Sequence, residues 1–187
     1  YVPYNVAKNG IADGGQSGLI NLQASQSVDL AFTFTDSLTS SAVVLNAFYL
    51  SVLDFDHGSN GNAVECLTAH GYSSVQLSEA SQIVEATDPL ASNSSIFCAS
   101  QQGSNSDNPT DPLFLTELQR NRALVFRFVQ TSSFNMTFQI GCCASWGRNL
   151  QFAGVSNAGH PICPSPPSPP PPSLPSQPPP CPPAPSA

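Results

Sequence analysis

The chain has 187 residues, of which 9% are charged and 40% hydrophobic, with a formal net charge of −7 and a pI near 4.5. An average soluble domain carries about 25% charged residues, so Ser, Thr, Asn and Gln must do most of the wetting of this surface. Only Lys8, Arg120, Arg122, Arg127 and Arg148 are basic, which excludes the clustered cations that nucleic acid binding needs, and no apolar run approaches the roughly 18 residues of a membrane span.

In chain order, the first strong pattern is Val28-Asp29-Leu30-Ala31-Phe32-Thr33-Phe34-Thr35. Its two-residue period puts Val28, Leu30, Phe32 and Phe34 on one face of a half-buried strand. Ala42 to Phe55 is richer and more continuous, and predicts one strand or two, covered on both faces. Shorter β-leaning pieces follow at Ala63–Thr68, Tyr72–Leu77, Gln82–Thr87 and Ser95–Ala99, divided by turn clusters rich in Gly, Ser and Asn. Leu115 to Ala123 has a helical pattern long enough for one turn of helix. Ala123 to Gln130 alternates Leu124, Phe126 and Phe128 with Val125, Arg127 and Val129, which puts Arg127 on an open face. Thr131-Ser132 is then short enough to be a hairpin connection to the cleanest strand, Ser133 to Ile140. There Phe134, Met136, Phe138 and Ile140 point inward and Asn135, Thr137 and Gln139 outward; Asn149–Ala153 closes the series. Many short strands with turns between them and almost no helix predict an all-β sandwich of Ig-like or jelly-roll type.

Between these strands lie two acidic turns. Asp54-Phe55-Asp56-His57-Gly58-Ser59-Asn60-Gly61-Asn62-Ala63-Val64-Glu65 places side-chain oxygens at Asp54, Asp56, Asn60 and Glu65, the donor type that calcium takes six to eight of. Ser59 stands where the EF-hand glycine belongs and no helices flank the loop, so an EF-hand is excluded. A calcium-binding sandwich loop is the remaining metal reading, if Asp107, Asn108 or Asp111 of the second turn (DNPTDP) lies beside Asp54, Asp56 and Asn60. No nucleophile elbow is present, His57, His70 and His160 sit in Gly-rich turns without an activating partner, and nothing singles out a catalytic pair among the twelve carboxylates. The chain is expected not to be an enzyme.

Six cysteines, Cys66, Cys98, Cys142, Cys143, Cys163 and Cys181, make an even count without zinc spacing, which favours disulfides in an oxidising compartment. The expected pairs are Cys66 with Cys98, and Cys142 or Cys143 with Cys163. Neighbours on a strand face opposite ways, so Cys142 and Cys143 are expected in separate bridges. Sequons at Asn93 and Asn135 supply N-glycosylation sites if the chain is secreted, and Asn135 falls on the outward face of its strand. Starting at Tyr1 without a leader, the chain is expected to be the mature product of secretion.

Proline divides the molecule. Pro3, Pro89, Pro109 and Pro112 are the four before His160, and the other 15 of the 19 follow it, so residues 1–160 form the sandwich domain and 161–187 a tail of different material. Proline removes a backbone donor and fixes φ, so PSPPSPPPPS adopts polyproline II at about 3.1 Å per residue, a reach of roughly 70 Å from Pro164 to Pro185. The tail has no Lys or Arg but holds Cys163 and Cys181, which suits a sugar-coated rod better than an SH3 ligand.

These Ser-Pro runs resemble the hydroxyproline-rich glycoproteins of plant and green-algal extracellular matrices, such as extensins, pherophorins and the mastigoneme proteins of flagellar hairs. The resemblance implies hydroxylation and glycosylation at Pro166, Pro167, Pro169, Pro170, Pro171, Pro172, Pro178, Pro179 and Pro180, with Ser165, Ser168 and Ser173 as further sugar sites. DFDHGSNGNAVE, GYSSVQL, DNPTDPLFLTELQRNRALVFRF and GRNLQFAG in the body resemble a secreted sandwich module of algal and protist surface proteins. Together they imply an extracellular, non-enzymatic subunit of a glycoprotein fibre, cell wall or flagellar hair, whose partners are attached glycans and copies of itself. The alternative is a calcium-assisted carbohydrate-binding module on a proline-rich stalk, with Tyr1, Tyr4, Tyr72 and Trp146 as candidate stacking platforms.

Overall fold

A computed structural model describes residues 1–87, 94–104 and 107–156. Their strands are β1 (Gly10–Ala12), β2 (Ser17–Gln23), β3 (Ser27–Thr33), β4 (Leu45–Leu53), β5 (Glu65–His70), β6 (Ser74–Leu77), β7 (Ile83–Thr87), β8 (Ser94–Ala99), β9 (Leu124–Thr131), β10 (Ser133–Ile140) and β11 (Gly147–Ser156). They form two antiparallel sheets, a six-stranded one in the order β1-β2-β11-β4-β9-β6 and a five-stranded one in the order β3-β10-β5-β8-β7. The sheets face each other as a β-sandwich and neither closes into a barrel. A five-residue helix, α1 (Glu117–Asn121), starts on a capping box in which the Thr116 side chain accepts from the Gln119 amide. Among the described residues, no helix is long and apolar enough to cross a membrane.

The core follows from the alternation in the strands. Phe134, Met136, Phe138 and Ile140 of β10 are buried as their period requires, and so are Leu124, Phe126 and Phe128 of β9. Aromatic rings join the two inner faces: Phe128 stacks on Phe134 at 4.5 Å between centroids and Phe97 meets Phe126 edge-on at 5.3 Å, while Phe134 stacks on Phe32 of its own sheet at 4.6 Å. Side chains of facing sheets interdigitate in this way in sandwiches generally.

Two expectations about strands need correction. Thr131-Ser132 is not a hairpin turn, because β9 pairs with β4 and β6 in one sheet while β10 pairs with β3 and β5 in the other. The chain steps across the sandwich there, helped by a positive φ of 49° at Gln130 and by the Thr131 hydroxyl, which donates to the Ser133 carbonyl at 2.5 Å. The Ala42–Phe55 segment holds one strand, β4, as one of the two alternatives had it, but that strand is not covered on both faces. Phe48, Leu50 and Val52 face the core, while Tyr49 on the outer face keeps 39% of its surface exposed, since a sandwich covers each sheet from one side only.

Cys66 and Cys98 lie opposite each other on β5 and β8 and form the expected disulfide. Cys142 is joined to Cys143 instead of to a separate partner. The reasoning that neighbours face opposite ways fails because the pair sits in the β10–β11 turn, where Cys143 has a φ of 77°. Cys163 and Cys181 fall outside the described residues, as do Asn93 and the whole 161–187 tail with its candidate hydroxyprolines.

The register gives the sandwich two distinct ends. Leu53, Leu124, Glu65 and Ile140 share one end, where β4 leaves into the first acidic turn. Leu45, Thr131, Thr33 and Ser156 lie towards the other. At about 3.3 Å per residue, the nine residues of β4 separate the ends by roughly 25–30 Å.

Candidate cation site

The acidic turns meet at the first end. As β4 stops, Asp54 takes a φ of 60°, a left-handed conformation that Asp tolerates better than most residues, and this turns the chain so that Asp56 points back beneath the sheet ends. The second turn is brought alongside by backbone pairing: the His57 amide donates to Gln101 O at 3.0 Å and the Gly103 amide to His57 O at 2.9 Å. Gly103 is required at this crossing, because a Cβ there would lie 1.7 Å from Asp56 Oδ2. Asp54, Asp56 and Asp107 thereby each offer a carboxylate oxygen within 4.8 Å of the others.

Glu65, at the start of β5, is 2% exposed and accepts from the Asp56 amide at 3.1 Å. Two guanidinium groups balance part of the charge. Arg122, just after α1, binds Asp107 Oδ2 and stands 3.8 Å from Asp56 Oδ2, while its Nε donates to Gln82 Oε1 and its Nη2 to Gln102 O, both at 2.8 Å. Arg148 of β11 places Nη1 2.7 Å from Asp56 Oδ1. That contact lacks hydrogen-bond alignment, so Asp56 Oδ1 and Arg148 Nε are left without hydrogen-bond partners among the described residues. Four carboxylates thus face two guanidiniums, an excess of two negative charges when all four are ionised, in a largely dry site.

The electrostatics register that excess. Burial, reinforced by Asp56 and Asp107, raises the Asp54 carboxyl from its usual value of 3.8 to about 7. Burial also raises Asp56, against the pull of Arg148 and Arg122, and lifts Glu65 well above the normal carboxylate range with Asp56 adding to the effect. Unpaired buried charge is costly enough that a site neutralises itself by binding either protons or cations.

The oxygens suit a hard cation. Calcium–oxygen distances of about 2.3–2.6 Å mean that two ligands of one ion lie no more than about 5 Å apart, a limit that the three aspartates meet. Asn108 brings its terminal amide to 2.9 Å from Ser104 O and 3.3 Å from Asp54 Oδ1. Its nitrogen, turned towards them, donates to both. A set of Asp carboxylates is the hard-oxygen donor chemistry of calcium and magnesium rather than of zinc or copper.

No family model, curated protein or solved structure matches the chain. Function must therefore be argued from the site itself.

Of the residues expected at the metal, Asp54, Asp56 and Asp107 come together. Asp111 does not join the group: its Oδ1 accepts from the Leu113 amide at 2.8 Å in a local turn. Asn60 is exposed at the tip of its loop, with a φ of 58°. Sequence reasoning missed Arg122, Arg148 and Gly103. The one available signal was scarcity, since a chain with five basic residues has few cations to spare for an acidic turn. Of the candidate stacking residues, Tyr72 belongs to the core, 5.2 Å from Phe126 between ring centroids. Trp146 and Tyr4 are exposed by 39% and 52% on the rim of the acidic end. Asn135 points outward on β10 as its register demands.

Proposed function

We propose that this chain is an extracellular, non-enzymatic structural subunit whose loop end is fixed by one divalent cation, calcium in preference to magnesium. The observation that carries the reading is the convergence of Asp54, Asp56 and Asp107 beside Glu65, opposed by the guanidiniums of Arg122 and Arg148. A single divalent ion cancels the excess, ties the 54–65 loop to the 101–108 loop, and makes rigid the end of the sandwich where the chain is least regular. Calcium is favoured because its coordination is flexible and large, whereas magnesium demands near-octahedral geometry and gives up water reluctantly. The strand order, with β2-β11-β4-β9 facing β3-β10-β5-β8, supports the jelly-roll member of the expected pair of folds. The composition of the 161–187 segment and the outward Asn135 sequon support secretion and glycan attachment.

The test is calcium titration of the chelator-stripped protein followed by thermal unfolding. Ligand at a hundredfold excess over its dissociation constant stabilises by about 2.7 kcal/mol, which for a domain of this size raises Tm by roughly 5–10 °C. Asp54→Asn should abolish most of that rise. A Tm and a calorimetric trace unmoved by calcium would remove the cation from the reading.

One observation favours a second reading. Trp146 and Tyr4 flank Gly147, whose added Cβ would lie 2.4 Å from Tyr4 Cβ, and both are exposed at the same end as the acidic residues. Aromatic faces beside a calcium site are the chemistry of a lectin, and glycan binding abolished by chelator and by Trp146→Ala would select that reading.

A further inference from the structure

At the end of the sandwich away from the aspartates, Phe34, Val43, Leu45 and Phe48 line a groove of about 510 Å³ with Gly154 and Asp36 on its walls. That volume falls within the range of about 300–1,000 Å³ typical of ligand pockets. At the aspartate end the chain does the reverse and displays apolar side chains. Leu113 and Phe114 are 68% and 80% exposed on consecutive positions. They are not loose: Asp111 accepts from the Leu113 amide through Oδ1 at 2.8 Å and from the Phe114 amide through its carbonyl at 3.4 Å. The finger is anchored at that end on both sides, by Pro109, whose carbonyl accepts from Gln151 at 3.3 Å, and by Asn121, which accepts from Ser78 at 2.7 Å.

We propose that the Leu113–Phe114 finger of one copy seats in the Phe34, Val43, Leu45 and Phe48 groove of the next, a head-to-tail contact between copies of this chain. Finger and groove lie at opposite ends, so the contact is heterologous: each copy that joins leaves one finger and one groove free, and assembly grows without closing. Charge agrees with this occupant. Arg120 is exposed beside the finger, its Nη1 donating to Leu115 O at 2.6 Å, and would arrive at a groove whose wall carries Asp36. Two adjacent exposed apolar side chains fixed by an Asp turn are otherwise a solubility cost, on a chain with few charges to offset them. The inference rests on the structural-subunit reading and gives it an interface.

A contact this small is weak per copy, so the experiment is sedimentation of the full chain from about 10 μM to about 1 mM, a range that brackets such affinities. Wild type is expected to grow with concentration. Phe114→Glu, at an exposed position, and Thr35→Trp, which crowds the groove from an exposed residue of its wall, are each expected to stay monomeric with unchanged circular dichroism. An equimolar mixture of the two is expected to form heterodimers that grow no further, because only one intact finger and one intact groove remain per pair. Phe114→Glu assembling like wild type overturns the contact while leaving the structural reading in place, and a wild type that stays monomeric throughout overturns both. If a peptide spanning residues 160–185 disperses the assembly while Phe114→Glu has no effect, the groove belongs to the proline-rich tail and the proposal falls.

Discussion

Gly103→Ala tests the geometry of the acidic end most directly. Gly103 needs no left-handed conformation; its constraint is space alone, with an added Cβ 1.7 Å from Asp56 Oδ2 and 2.0 Å from Asp56 Cγ. Asp56 cannot retreat as a whole, since its amide donates to Glu65 Oε2 at 3.1 Å and its carbonyl accepts from the Glu65 amide at 3.4 Å. The carboxylate must therefore swing away from Arg148 and Arg122. Overpacking alone costs about 1–3 kcal/mol, and separating the members of a buried ion pair about 3–5 kcal/mol. The two are alternatives in part, because the swing relieves the clash, so we expect a loss of about 3–5 kcal/mol. Urea unfolding with disulfides intact would show this as a lower midpoint at unchanged m. Gly61→Ala is the control: its φ is 73° and nothing lies within 4 Å of the added Cβ, so it should cost only the left-handed penalty of about 1–2 kcal/mol. If Gly103→Ala unfolds within about 0.5 kcal/mol of wild type, the close approach of the two loops is wrong, and the aspartate group goes with it.

Other outcomes follow from the same structure. In chelator, the raised carboxyl of Asp54 binds its proton more tightly folded than unfolded, so its contribution is complete below about pH 4 and is lost as pH rises through about 7. Glu65 has the same sign; the urea midpoint should therefore fall from pH 4.5 to pH 7.5, and a midpoint that rose over that interval would contradict the burial of these acids. Replacing Cys66 and Cys98 together by Ala opens a loop of 32 residues in sequence separation, worth about 3–4 kcal/mol on the chain-entropy estimate, measurable by the same unfolding curve. Phe134→Ala removes the ring that bridges the sheets and should cost about 3–5 kcal/mol. Asn135→Gln, at an exposed site, should remove one glycan from a eukaryotic secreted product, read by intact mass, while shifting stability by less than about 0.5 kcal/mol.

The legible parts of this fold were those where one face is buried and the other wet. Ser133–Ile140 could be read to the residue because alternation at a period of two carries its own register. β4 was harder: Val52, Leu53 and Phe55 are all buried, so the pattern looked continuous and suggested cover on both sides. β2 escaped because Ser17 and Asn21 put polar groups into buried positions against Gln151 and Asn149 of β11, where Asn21 donates to Asn149 Oδ1 at 2.8 Å and Gln151 to Asp13 Oδ2 at 2.8 Å. Those two bonds reach partners more than a hundred residues away in sequence, and no local window contains them. The same limit applied at the site. Asp54 and Asp56 announced themselves by density, but their counter-ions came from the residue after α1 and from β11, and only the strand order puts Arg122 and Arg148 beside them.

The composition of the site bears on why it exists. The chain has twelve acidic and five basic side chains, and it sinks four of the first and two of the second into one end of the sandwich. Stability does not explain that choice, since a buried ion cluster gains little over well-packed apolar residues of the same shape, and the aromatic core already joins the sheets. Specificity of loop pairing would be served by a balanced cluster, whereas this one, fully ionised, is unbalanced by two charges, and Asp56 Oδ1 has no hydrogen bond among the described residues. An imbalance of that size and sign is what a divalent cation removes. The loops that meet there, 54–65 and 101–108, also lead into the Leu113–Phe114 finger through Pro109. A cation that fixes those loops would fix the position of the finger as well, so that calcium and assembly at the two ends of the sandwich become one linked equilibrium.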